Sequence, residues 1–167
     1  YKSFDDFSKI SIPTLMHYLH ASHEYYLGFQ LPFIRKELVE ALDEKDNLAR
    51  LILKLYDEYA DEINKHMKYE EKFLFPYIES LVNGDSSKNY DIETFSKHHG
   101  QTDQKLRELK NIIIKYLPSD GLHNNQLSAT LCDIYSNEEW LAKHADVEEQ
   151  IMIPAIRELE RKSKQSD

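Results

Sequence analysis

The chain has 167 residues, a hydrophobic share of 41%, a charged share of 31% and a formal net charge of -9. That length suits one domain with its own core, while the acidic balance speaks against a nucleic-acid surface, which shows a basic stripe, and against attraction to anionic membranes. Four glycines and five prolines are few for a β-rich chain, and the single cysteine, Cys132, has no internal partner, so an all-α cytoplasmic domain is the expectation.

Ser11 is placed to N-cap a helix with Pro13 in its first turn, after which Leu15, Met16, Leu19, His23, Leu27, Ile34, Leu38 and Leu42 recur at helical spacing. The predicted helix spans about 12–44. Asp46 or Asn47 caps a second, about 46–83, whose stripe reads Leu48, Leu51, Ile52, Leu55, Tyr59, Ile63, His66, Glu70, Phe73, Tyr77 and Leu81, with Gly84 as terminator. A third, about 91–117, runs from Asp91 through Phe95, His99, Thr102, Leu106, Leu109 and Ile113 to the break at Pro118. The fourth, about 124–163, carries Leu127, Leu131, Ile134, Leu141, His144, Glu148, Ile151, Ala155 and Leu159. Short connections make successive helices antiparallel, which predicts an up-down-up-down four-helix bundle in one domain. Pro32, Pro76 and Pro154 fall inside helical patterns, where each is expected to kink its helix. The chain opens without a methionine and closes on "ERKSKQSD", so a domain excised from a longer protein is a further expectation.

The segments "HMKYEEKFLFPYIESL" (66–81) and "HADVEEQIMIPAIREL" (144–159) repeat His, Glu, Glu, Pro, Ile and Leu in the same places. In a helix, residues i and i+4 lie one above the other, so His66 with Glu70 and His144 with Glu148 form two ligand pairs, both on apolar stripes. A buried ionised carboxylate costs several kcal/mol or more without a compensating charge. The stripes contain no lysine or arginine, which points to a bound cation. With about 100° of rotation per residue, the stripe of the first helix passes closer to His23 than to His20, and that of the third closer to His99 than to His98. His20 and His98 remain the alternatives. Imidazole and carboxylate without thiolate suit iron or manganese better than structural zinc, with zinc still open.

On these residues the chain resembles the hemerythrin-like, or HHE cation-binding, family from about residue 12 to about residue 160, most specifically in "HMKYEEKFLFP" and "HADVEEQIMIP". The resemblance implies a four-helix bundle holding two non-haem irons with a bridging oxo or hydroxo group. His66, His144, His23 in "SHEYYLGFQLP", and His99 would supply imidazoles, and Glu70 and Glu148 would bridge the metals. Four residues beyond His99 stands Asp103 and four beyond His98 stands Thr102, so the H-x-x-x-H pair of oxygen-carrying members is missing. The four-His, two-Glu pattern is similar to the iron-sulfur-cluster-repair branch, though that branch's cysteine-bearing N-terminal domain does not occur in this chain. Glu71 and Glu149 are candidate alternative ligands or supports for ligands.

The expected function is a non-catalytic module that binds or senses O2, NO or redox state, with an attached output domain as a candidate partner. The alternative is an iron donor for cluster repair, or a centre that reduces NO or peroxide. Trp140, one turn before His144, is expected to pack around the site, and Cys132 to be a buried small hydrophobe. The 11 tyrosines are expected to pad the bundle with hydroxyls reaching water. His17 is expected to be solvated or to support ligands, and His123 to sit in a loop.

Overall fold

A computed structural model of the protein describes residues 11–43, 45–85, 90–99, 103–116 and 124–165, and every regular element among them is helical. These are α1 (Ile12–Tyr25), α2 (Leu31–Ala41), α3 (Asn47–Tyr69), α4 (Phe75–Val82), α5 (Ile92–His98), α6 (Asp103–Tyr116), α7 (Asn124–Val147) and α8 (Ile153–Gln165). None is long and apolar enough to cross a membrane. The expected punctuation is visible: Ser11 Oγ accepts from the Thr14 amide at 3.3 Å, Asp46 accepts from Leu48 at 2.9 Å, and Gly84 takes φ +80°, a conformation that side chains disfavour. The first helical stretch stops at Ala41 because Leu42 turns extended, at φ -108° and ψ 144°. The stretch expected as one helix over 91–117 is broken: α5 ends at His98, and His99 adopts φ -70° and ψ 84°. The Pro118 break and His123 lie outside the described residues.

Each of the three internal prolines is preceded by a π-turn: Tyr26–Gln30 before Pro32, Glu70–Leu74 before Pro76, and Glu148–Met152 before Pro154. Proline lacks an N–H and its ring crowds the carbonyl four residues back, so a regular turn is disfavoured there. The chain answers by widening. The N–H ahead of each proline reaches five residues back, Leu31 to Tyr26, Phe75 to Glu70 and Ile153 to Glu148. A widened turn inserts a residue and resets which side chains face inward. Leu74 is therefore buried, whereas Phe73, expected on the inward stripe, is 46% exposed. Leu51 is exposed as well, because the buried face of α3 runs through Ala49, Ile52, Tyr56, Tyr59, Ile63 and Met67.

The described residues fall into two compact units. The first draws on Tyr1–Ser22, Met67–Gly100 and Ala142–Asp167. Its core is Leu15 and Leu19 of α1, Leu74, Tyr77 and Ile78 around α4, Ile92 and Phe95 of α5, and Met152, Ile153 and Ile156 around α8. There α8 packs on α4 and α5, and the Tyr77 hydroxyl donates to Glu160.

The second unit comprises His23–His66 and Gln101–Leu141. It buries Ile34 and Leu38 of α2, Ile52, Tyr56 and Tyr59 of α3, Leu109 and Ile113 of α6, and Leu127 and Ile134 of α7. Three of its tyrosines have their hydroxyls bonded inside rather than reaching water: Tyr26 and Tyr59 share a buried hydrogen bond of 2.7 Å, and Tyr56 donates to the Leu31 carbonyl at 2.7 Å, whereas Tyr25 and Tyr135 are exposed as expected. Trp140 stacks on Tyr26, centroids 4.9 Å apart and rings within 3° of parallel. Cys132 is exposed, contrary to expectation. The buried positions of α7 include Thr130 and Ile134, and a residue midway between them points to the opposite side of a helix.

Two carboxyls in this unit, Glu37 of α2 and Asp133 of α7, hydrogen-bond one another. Burial first, then the Asp133 hydrogen bond and charge, then Glu40, push the Glu37 carboxyl up from 4.5 to about 7. A folded-state value above the unfolded one means the folded protein holds the proton more tightly. The stabilisation is thus complete below about pH 4.5 and lost as pH rises through about 7.

Two outcomes follow for unfolding by urea. Leu74→Ala costs about 2–5 kcal/mol, whereas Phe73→Ala costs less than about 1 kcal/mol; comparable losses would contradict the register that the π-turn sets. Glu37→Gln flattens the fall in stability between about pH 5 and pH 8 that the parent protein shows, and an unchanged slope would refute the Glu37 assignment.

Candidate metal centre

The second residue of the pair that begins each repeated π-turn differs from the first in burial. Glu70 and Glu148 are 0% and 1% exposed, while the Glu149 side chain is 54% exposed. Glu148 lies one turn beyond His144 on the same helical face, and its Oε1 sits 2.5 Å from His144 Nε2. Its other oxygen, Oε2, is 3.2 Å from His99 Nε2. Glu70 is buried beside Glu148, with oxygens of both carboxyls among the same donor groups.

Burial alone would push the Glu148 carboxyl up, but the close approach of His144 and His99, with Glu70 also acting, outweighs it and holds the group well below the usual carboxylate range. His99 responds in the opposite sense. Its hydrogen bond to Glu148 raises it against the lowering effect of burial, helped by the charges of Glu148 and Glu149. Two carboxyls and two imidazoles thus share one dry place in the first unit. The groups that act most on Glu148 are acid and imidazole, a donor set that suits a divalent ion.

The donor atoms form two groups, each within 4.8 Å: His23, Glu70, His144 and Glu148 in one, His66, Glu70, His99 and Glu148 in the other. Both groups contain both glutamates. His23 is buried, at 2% exposure, on α1, and His66 stands one turn before Glu70 on α3. Of the six residues selected from the sequence, Glu70, His99, His144 and Glu148 lie in the first unit, and His23 and His66 stand at the bounds of the second. His20, the alternative to His23, is exposed, and its Nδ1 lies 2.9 Å from both Glu71 oxygens. His17 is exposed too; the side chains of His98 and Thr102 lie outside the described residues.

What the spacing did not disclose is the setting of these groups. The π-turns start directly at Glu70 and Glu148, for which the prolines six residues on were the available signal. The ring of His99 meets Glu148 through Nε2 and Glu149 through Nδ1, the latter at 3.0 Å. Nothing local in the sequence marks that second contact.

Compared with known families, residues 14–156 match the hemerythrin HHE cation binding domain. No characterised protein and no solved structure gives a significant match.

In metal-free protein, Glu148→Gln removes the charge from the bonds with His144 and His99 and lowers stability by about 1–3 kcal/mol. Urea unfolding at neutral pH in the presence of chelator measures it, and an unchanged midpoint would contradict the hydrogen-bonded arrangement.

Proposed function

The chain belongs to the hemerythrin HHE cation-binding family, and on that premise we propose that it is a two-iron module that binds or senses O2, NO or redox state. The observation that carries this reading is that the two donor groups share Glu70 and Glu148 while dividing the histidines, His23 with His144 and His66 with His99. Two shared carboxylates, with two imidazoles in each group, would suit a pair of metals, as in the two-metal carboxylate sites of helical bundles. The module is a single domain folded as an up-down-up-down four-helix bundle, so that each helical stretch contributes donors.

When bound, iron supplies open coordination positions for a diatomic ligand and a reversible change of oxidation state. The chain's residues do the rest. His23, His66, His99 and His144 would offer imidazole nitrogens and Glu70 and Glu148 carboxylate oxygens, and any proton on the donor atoms would leave as the metals enter. Burial of both glutamates keeps bulk water from competing for them. Each position receives fewer protein donors than iron can hold, which favours a binding or sensing role over a closed structural one. The π-turn at each glutamate widens the backbone where the carboxylate is presented, a feature frequent at functional sites.

Protein purified anaerobically with iron binds about two irons per chain, and its optical spectrum changes on adding oxygen and again on adding NO. One tightly held zinc with no spectral response would refute the reading. The paired variant His66→Ala/His144→Ala loses iron, whereas His17→Ala retains it; metal analysis of both distinguishes this centre from adventitious surface binding.

A further inference from the structure

His99 differs from the other three histidines of the cluster. His23, His66 and His144 project from regular turns of α1, α3 and α7, where the helical backbone restricts each imidazole to few rotamers. His99 stands one residue past the end of α5 with non-helical backbone angles, so helical geometry does not aim it. Two side chains do. The Phe95 ring lies against it, centroids 5.2 Å apart, and Glu149 Oε1 lies 3.0 Å from Nδ1.

We propose that Glu149 is the positioning residue for His99, accepting the Nδ1 proton and so holding the tautomer and ring orientation that direct Nε2 to the shared carboxylate and to a metal. A neutral imidazole carries its proton on either nitrogen, and the hydrogen bond made by one decides which lone pair the other offers. Glu149, being a carboxylate, can only accept, so the proton stays on Nδ1. Nε2, 3.2 Å from Glu148, is then the nitrogen left to bind. When a metal takes Nε2, any proton there leaves to solvent while the Nδ1 proton remains with Glu149. This role rests on the two-iron reading and refines it, because His99 belongs to only one of the two donor groups.

The repeat supplies an internal control. Glu71 follows Glu70 as Glu149 follows Glu148, yet Glu71 meets His20, which is 50% exposed and outside both donor groups. Of two matching glutamates, one orients a cluster histidine and the other ties an exposed one. Since half of Glu149 faces water, its charge is screened, and direction rather than Coulomb attraction carries the effect. The consequence lies at the low end of the 10–100-fold range typical of groups that orient metal ligands, about 10-fold.

The test uses the full chain and four proteins: parent, Glu149→Ala, Glu149→Gln and Glu71→Gln. Nitrogen NMR of metal-free protein reads whether His99 Nδ1 carries a proton. The parent and Glu149→Gln, whose amide oxygen still accepts, keep a proton on Nδ1, and Glu149→Ala shows a population in which Nδ1 has none and the proton is on Nε2, facing Glu148. Anaerobic competition of iron(II) against a chelator then reads affinity: in Glu149→Ala one iron of the pair weakens about 10-fold, Glu149→Gln is largely rescued, and Glu71→Gln matches the parent. An unchanged tautomer in Glu149→Ala, or equal weakening of both irons, overturns the proposal. A parent chain that binds no iron overturns the two-iron reading instead, and the metal-free tautomer still decides the role of Glu149.

Discussion

Two carboxyl groups in contact, almost wholly removed from water, are the constraint to which the site answers. Glu70 and Glu148 are 0% and 1% exposed, and their oxygens lie within 4.8 Å of the same imidazole nitrogens. An interior of leucine, isoleucine and tyrosine gives nothing in return for dehydrating two charges. The compensation comes from imidazole, with His144 and His99 on the two oxygens of Glu148. An arrangement this costly to a metal-free protein persists where function needs it, since replacing buried ionic groups with apolar ones of similar size is often neutral or stabilising.

The same places carry a backbone irregularity. Glu70 and Glu148 each open a π-turn closed by a proline, and Tyr26 opens a third with the same spacing to Pro32. The proline makes the regular turn unfavourable, and the widened turn lets the helix continue by bonding five residues back. The irregularity is thus written into the sequence as a proline whose effect is felt upstream. At the start of each repeat the helix sets the His and Glu one turn apart; from the Glu onward the inserted residue reorients the apolar side chains that follow.

The helical class, the duplication and the inward histidine–glutamate pairs were legible from composition and period, because a helix face is a local property repeated every turn. So were the caps at Ser11 and Asp46 and the stop at Gly84, where one residue's conformation or hydrogen bond is decided within four residues of chain. The exposures of Phe73 and Leu51 and the position of Cys132 were misread for a related reason: small errors of phase, or one inserted residue, rotate a side chain from core to water.

Only the tertiary structure decided the rest. It broke the third predicted helix at His99, paired the hydroxyls of Tyr26 and Tyr59 in the interior, left His20 exposed against Glu71, and set Glu149 against His99. Each of these outcomes depends on residues far apart in the chain, such as 99 with 149 or 20 with 71. Periodicity says which face of a helix is buried; which residue of another helix meets it is fixed by packing, and by the charge and hydrogen bonds that packing must satisfy.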